Sequence, residues 1–457
     1  MSPRLSAATL ALTPASVLRP PYDPTRLRTG IVHLGLGAFH RAHQAVFTED
    51  ALAAAGGDWG IVGVSLRHGD ARDALAPQDL LYSVEFLGGP VRVVGVLREA
   101  LVAPEAPAAV LAALASPATH IVTLTITEAG YCLTAEGELD VAHPAIRHDL
   151  TGAAAPTSAI GWLVRGLAER RRAGAGPVTI LSCDNLIGNG ARLHAAVLAF
   201  ADRVDPTLAA WIAANASFPS SMVDCIVPAS DARHRARVAD ALGLIDAASV
   251  QREAFAQWAI EDRFAGPRPA WERAGVEIVE SVAGHERLKL HVLNATHSAL
   301  AYLGLAHGLE FMREAIGDPD LAAFADAMIA EEIAPALPDL AVAPYWRGVR
   351  ARLANPMLDH RLAQIGKDGA AKLAQRVFPI LIANARAGRP TARLAVVVRA
   401  WLAAAGQGRV DDAQGERLAD WFRAGAHLTE ALDDPRLFPE PFRAEPAVRS
   451  AMLEGAP

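Results

Sequence analysis

Ile31-Val-His-Leu34-Gly35-Leu36-Gly37-Ala38-Phe39-His40 decides the fold. An apolar, β-prone run enters two glycines one residue apart, and a helical pattern starts near Arg41. Glycines this close after a strand let the backbone turn tightly and approach a pyrophosphate, which the first N–H groups of the next helix receive. The third position of that fingerprint holds His40 where Gly or Ala is usual, so the same residues also read as a plain strand-to-helix turn. The surrounding sequence decides between the two.

Working outward, strand-like runs at 30–36, 59–66, 91–96, 120–127 and 178–182 alternate with helical patterns at 43–55, 108–115 and 158–173. Such alternation is the mark of βαβ units and a largely parallel sheet. Beyond about residue 283 the pattern turns to Ala- and Leu-rich helices at 289–309, 321–333, 370–385, 391–405 and 415–424. The expected architecture is α/β: a Rossmann-type dinucleotide-binding N-terminal domain over 1–283 and a mainly α-helical, substrate-binding C-terminal domain over 284–457.

Composition narrows the function. The 457 residues are 52% hydrophobic and 20% charged, and 43 basic against 50 acidic residues leave a net charge of −7. The one basic run is Arg170-Arg171-Arg172, which gives nucleic-acid binding no electrostatic footing. Cys132, Cys183 and Cys225 are odd in number and widely spaced, fitting neither a disulfide framework nor a zinc site, as in a reducing cytoplasmic setting. The start of the chain faintly imitates a signal peptide, but Pro14 interrupts its apolar part and export is not expected. The apolar stretch 394–405 carries Arg399 and is too short to span a membrane.

Only Lys289, Lys367 and Lys372 are lysines among the 43 basic residues. Arg keeps its proton near neutrality whereas a desolvated Lys can release it, so proton transfer is work that Arg cannot take over. Lys289 opens Lys289-Leu-His-Val-Leu-Asn294-Ala-Thr-His297, preceded by Glu286. On a regular helix Asn294 and His297 share a face, with Lys289 about 80° from His297 and roughly 12 Å along the axis. Oxidation of a secondary alcohol needs a base, donors to the transient alkoxide and a hydride acceptor. Lys289 suits the base, Asn294 and Asn185 the donors, and His297 a substrate-orienting contact; a solvated polar stripe fits the spacing equally well. Asn185 follows the strand at 178–182, at the edge where parallel sheets bind ligands. Asp70 follows the second strand and could bind ribose hydroxyls, favouring NAD, or cap the helix starting at Ala71; Arg67 nearby leaves NADP open. None of the five tyrosines has a lysine four residues later, and His33, His40 and His43 lack carboxylates, so neither a Tyr–Lys pair nor a metal site is expected.

The ordered motifs Gly35-x-Gly37-x-Phe39-His40-Arg41-Ala42-His43, Thr125-Ile-Thr127-Glu128-x-Gly130-Tyr131-Cys132, Ser182-Cys-Asp-Asn185, Phe218-Pro-x-x-Met222-Val-Asp224, Glu261-Asp262 with Arg268-Pro-x-Trp271, and Lys289-x-x-x-x-Asn294-x-x-His297 resemble those of the polyol-specific long-chain dehydrogenases. The resemblance spans roughly residues 20 to 410. It implies a metal-free, NAD-dependent enzyme interconverting an acyclic polyol, D-mannitol first, with its 2-ketose, D-fructose. By the same likeness Lys289 is the general acid/base, Asn185 and Asn294 form the oxyanion pocket, His297 positions substrate, and Glu286 passes protons to solvent. Gly35, Gly37, Phe39 and Asp70 would hold the cofactor. Lys372-Leu-Ala-Gln375-Arg376 resembles a substrate-binding segment, with Ala370 and Ala374 in place of the usual Ser and Pro, and is somewhat closer there to fructuronate reductases and related bacterial polyol dehydrogenases than to the best-known mannitol enzymes. Reduction of D-fructuronate to D-mannonate is the alternative, with Arg376 placed either to pair with the uronate carboxylate or to hydrogen-bond sugar hydroxyls. An inert NAD-binding sensor is the rival of another class. The oligomeric state is left open, a monomer being compatible.

Overall fold

Strands covered on both faces need apolar side chains at successive positions. In this computed structural model, which describes residues 3–425 and 427–454, twelve strands form: β1 Thr29–Leu34, β2 Gly60–Ser65, β3 Tyr82–Phe86, β4 Val91–Val94, β5 Leu97–Val102, β6 Ile121–Leu124, β7 Val178–Ser182, β8 Ala216–Ser217, β9 Ser221–Asp224, β10 Val250–Arg252, β11 Gln257–Glu261 and β12 Glu277–Val279. Every residue of β2, β6 and β7 is buried, as is β1 from Gly30 onward. The chain divides into two units, Met1–Ala283 and Gly284–Pro457.

The main sheet of the first unit runs β5-β2-β1-β6-β7-β8 with all neighbours parallel. Ranked by appearance within that sheet, the order is 3-2-1-4-5-6, the doubly wound arrangement that reverses direction between β1 and β6. Ligands of such sheets bind outside the carboxyl ends of the strands at the reversal, which here is where Gly35 and Gly37 stand. Two three-stranded sheets, β10-β3-β4 and β12-β11-β9, complete the unit. The run at 91–96 does not supply the third parallel strand: β4 pairs antiparallel with β3, and β5 takes that position. As an edge strand β5 tolerates Arg98 and Glu99, so it lacks the apolar run that marks its neighbours.

The second unit is helical around one core that includes Leu300, Tyr302, Leu394, Trp401 and Phe438. It departs from uniform helices at two points that bear on the site. The pattern at 370–385 splits into Gly369–Arg376 and Phe378–Arg386, because Pro379 lacks an N–H and sits in the first turn of the second helix. Between the α-helices Ala283–Leu288 and Ala295–Ala306, Lys289–Asn294 is a π-helical turn.

Candidate active site

In the first unit the site begins with Gly35, whose φ of +103° suits glycine. A Cβ there would lie 2.1 Å from the Thr125 carbonyl oxygen, so only glycine lets the chain leaving β1 meet the chain leaving β6. Gly37 precedes the helix Ala38–Ala42, and a Cβ on it would meet only the Gly35 oxygen, at 3.7 Å. This bare backbone at the sheet's reversal fits the pyrophosphate of a dinucleotide.

His33 braces the turn from beneath. Its Nε2 lies 3.0 Å from the Gly35 carbonyl oxygen, which can only accept, so Nε2 carries the proton and Nδ1 accepts from the Thr123 hydroxyl at 2.8 Å. The Thr125 hydroxyl also donates to the Gly35 oxygen, at 2.9 Å. Burial pushes His33 down to about 3, so the ring stays neutral. His40 stacks on it with centroids 3.4 Å apart. The departure at the third fingerprint position thus has a physical reason: two flat rings bring helix and strand together where a small residue would otherwise be needed. Phe39 stacks in turn on His43, at 5.0 Å.

At the end of β7, Asn185 is exposed beside Asp184, whose carboxylate reaches back to the chain leaving β6. Asp184 accepts the N–H groups of Ile126 at 3.0 Å and Thr127 at 2.9 Å, and the Tyr131 hydroxyl at 2.7 Å. The turns after β1, β6 and β7 are therefore joined into one ledge. Asp70 stands apart from it, after β2, exposed in the first turn of the helix Asp70–Leu75. Gly69 occupies the cap position and Asp70 makes no side-chain hydrogen bond among the described residues, so capping does not account for its carboxylate.

In the second unit Lys289 is only 9% exposed. A π turn bonds residue i to i+5, so Lys289 and Asn294 come onto one face, whereas α geometry would set them about 140° apart. His297 follows three residues later, buried, with its Nε2 lacking a partner among the described residues. Burial, then the charges of His360, Arg352 and Arg376, hold His297 well below its ordinary value. Arg376 is tied to the same helix through Nη1, which donates to Ser298 Oγ at 3.1 Å and the Asn294 carbonyl at 3.4 Å, while His291 Nδ1 donates to the Arg376 carbonyl at 3.0 Å. Lys372 donates to the Ile365 carbonyl at 3.2 Å. Neither Lys372 nor Arg376 has an ion-pair partner among the described residues, whereas Lys367 is paired with Asp411 at 2.7 Å. Glu286 is half-buried one turn before Lys289. Among the described residues no three His, Cys, Asp or Glu side chains group as metal ligands, and no helix is long and apolar enough to cross a membrane.

Sequence reasoning gave no role to His33, Thr127, Tyr131 or Asp184. The available signal was positional, since all four stand in β1 or in the turns at the carboxyl ends of β6 and β7.

A parallel sheet in this order, with a glycine turn at its reversal, is the arrangement of dinucleotide-binding proteins. The chain belongs to the mannitol dehydrogenase family: residues 29–273 match the mannitol dehydrogenase Rossmann domain and residues 281–431 the C-terminal domain. It is 42% identical over 400 residues to the D-mannonate oxidoreductase of Escherichia coli K12, covering 84% of this chain and 82% of the relative. Identity to the mannitol 2-dehydrogenase of Cereibacter sphaeroides is 38% over 395 residues, covering 84% and 83%. Among solved structures, Pseudomonas fluorescens mannitol 2-dehydrogenase in ternary complex with NAD and D-mannitol superposes with a TM-score of 0.85 at 34% identity, covering 99% of this chain and 96% of that one.

Proposed function

We propose that this oxidoreductase uses NAD to interconvert D-mannitol and D-fructose, with Lys289 as general acid/base. The observation that carries the reading is the π turn, which brings a buried lysine and Asn294 onto one face. A bound NAD would supply the acceptor for the hydride of the carbinol carbon. Lys289 takes the hydroxyl proton, and the Asn185 and Asn294 side-chain amides donate to the alkoxide as charge develops. His297, kept neutral, offers Nε2 to a substrate hydroxyl. Glu286, one turn away, relays the proton from Lys289 to water. Gly35, Gly37 and Phe39 would hold the pyrophosphate end of the cofactor and Asp70 would accept from its ribose hydroxyls. Support comes from the whole-chain likeness to a mannitol 2-dehydrogenase holding NAD and D-mannitol.

A second reading is favoured by one specific observation: Lys372 and Arg376 lack carboxylate partners among the described residues and are held near His297 and His360 by the same helices. A hexonate carboxylate would complete that set, which agrees with the likeness to the D-mannonate oxidoreductase. The test is kcat/KM for D-mannitol against D-mannonate with NAD. A polyol enzyme turns over mannitol at least about 100-fold better, and the reverse ratio makes the chain a hexonate enzyme.

A further inference from the structure

Thr127 has φ +64° and ψ 161°. That region belongs to glycine, and a β-branched residue in it is strained. Strain of this kind persists only where surrounding contacts over-determine it. Here the agent is identifiable. Both oxygens of Asp184 are engaged, Oδ1 by the Thr127 N–H and Oδ2 by the Ile126 N–H and the Tyr131 hydroxyl. The Tyr131 hydroxyl also meets Ser182 Oγ at the end of β7, so the phenol is held from two sides. The main chain of Asp184 is pinned too, because Asn189 Nδ2 donates to its carbonyl at 3.1 Å and to the Ser221 carbonyl at 2.8 Å. Burial pushes the Asp184 carboxyl up, and the three donors oppose that shift. This is far more fastening than a surface turn needs. Its product is an exposed Thr127 and an exposed Asn185 fixed on either side of one carboxylate, two residues along the chain from the Thr125 carbonyl that packs on Gly35.

We propose that Asp184 is a positioning residue for hydride transfer: its carboxylate holds the strained Thr127 turn and, from the adjacent backbone, sets Asn185 against the ledge that carries the glycine turn. The proposal rests on the reading of Asn185 as a donor to the alkoxide. The Asp184 carboxylate is engaged by Ile126, Thr127 and Tyr131, so it acts through these neighbours. Fixing a donor to a few tenths of an ångström matters because a 1 Å misplacement can cost about 100-fold in rate.

The experiment compares kcat, the two KM values and the melting temperature of the full-length D184N, T127G, D184N/T127G, Y131F and N185A enzymes. Asn in place of Asp184 turns an –NH2 toward a backbone N–H, so the turn loses one acceptor and gains a conflict between donors. D184N is expected to lower kcat by about 30-fold or more with both KM values within about threefold. Glycine adopts the Thr127 conformation without strain, so in the T127G background the same substitution costs less than about fivefold. Y131F removes one donor without a conflict and lowers kcat about three- to tenfold, which answers the question even if D184N fails to fold. A D184N or Y131F enzyme with wild-type kcat overturns the proposal, as does a D184N loss of equal size in both backgrounds. N185A separates the two readings: wild-type kcat in N185A overturns the donor role and with it the reason for the clamp, whereas a slow N185A beside an unimpaired D184N overturns the clamp alone.

Discussion

The turn after β1 and the turn at Lys289–Asn294 both leave regular geometry, and they put different atoms to use. At Gly35 the irregularity brings backbone to backbone, with the Gly35 and Leu36 N–H groups donating to the Val64 carbonyl at 2.8 and 3.2 Å and no side chain on either glycine to cover the turn. At Lys289 the irregularity re-phases side chains, turning Lys289 and Asn294 toward one face of the helix. One region is specified by what glycine lacks, the other by what lysine and asparagine carry. Substitutions should therefore fail in different ways: added bulk should break the first, and loss of a functional group the second.

The largest effect is expected at the side-chain turn. K289A should lower kcat by about 1,000-fold or more while the dissociation constant for NADH changes by less than about threefold, because the base acts on the proton in the transition state and not on the cofactor. Steady-state kinetics with an NADH fluorescence titration measures both. Wild-type turnover in K289A would erase the contrast. At the backbone turn the pattern should invert. G35A drives a Cβ against the Thr125 carbonyl at a φ of +103° and should weaken NADH binding by about 30-fold or more. Unchanged binding in a folded G35A would mean that the bare backbone is not where the cofactor sits.

The same contrast explains what the sequence could tell. Strands β1, β2 and β7 are legible because both of their faces are buried, which writes itself as continuous Val, Ile and Leu. Strand β5 is not, because an edge position accepts Arg98 and Glu99, and the more apolar Val91–Val94 attracts the assignment instead. Gly35 and Gly37 are legible because glycine is chosen for backbone reasons that hold in any context. The π turn has no such mark: Lys-Leu-His-Val-Leu-Asn reads as ordinary α-helical sequence, with Val292 and Leu293 buried as in any core helix. Helical arithmetic at 3.6 residues per turn therefore separates Lys289 from Asn294, where the structure unites them. Asp184 falls within the Ser182-Cys-Asp-Asn185 motif yet receives no role, because an acid after a strand reads as a turn or cap residue, and its partners are more than fifty positions away.

A smaller effect should sharpen the cofactor side. Asp70 lies outside the ledge and makes no bond of its own among the described residues, so D70A should spare the fold and act only through the ribose. The ratio of kcat/KM for NAD over NADP should fall by about tenfold, since lost hydrogen bonds weaken NAD while relief of repulsion favours a 2′-phosphate. An unchanged ratio would move the preference elsewhere, Arg67 being the neighbour to examine.

The smallest expected effect separates a buried carboxyl from the buried histidines by its response to pH. Burial pushes Glu49, in the first unit, up to about 7, against opposing hydrogen bonds from the Tyr22 hydroxyl at 2.7 Å and the Gly95 N–H at 3.1 Å. A carboxyl whose folded value is raised adds stability below its unfolded value of 4.5 and loses it as the pH rises through about 7. Burial holds His33 and His40 down in the first unit and His291, His297 and His360 in the second, so their effect has the opposite sign and stability is lost as the pH falls below 6.5. E49Q removes the first term and leaves the second. Relative to wild type, E49Q should gain stability between pH 5 and 7, by at most about 1.4 kcal/mol per pH unit, and stay level above that. Urea unfolding across this range reads the difference directly. A constant offset between the two proteins would mean that Glu49 is ionised throughout, with the Tyr22 and Gly95 donors outweighing its burial.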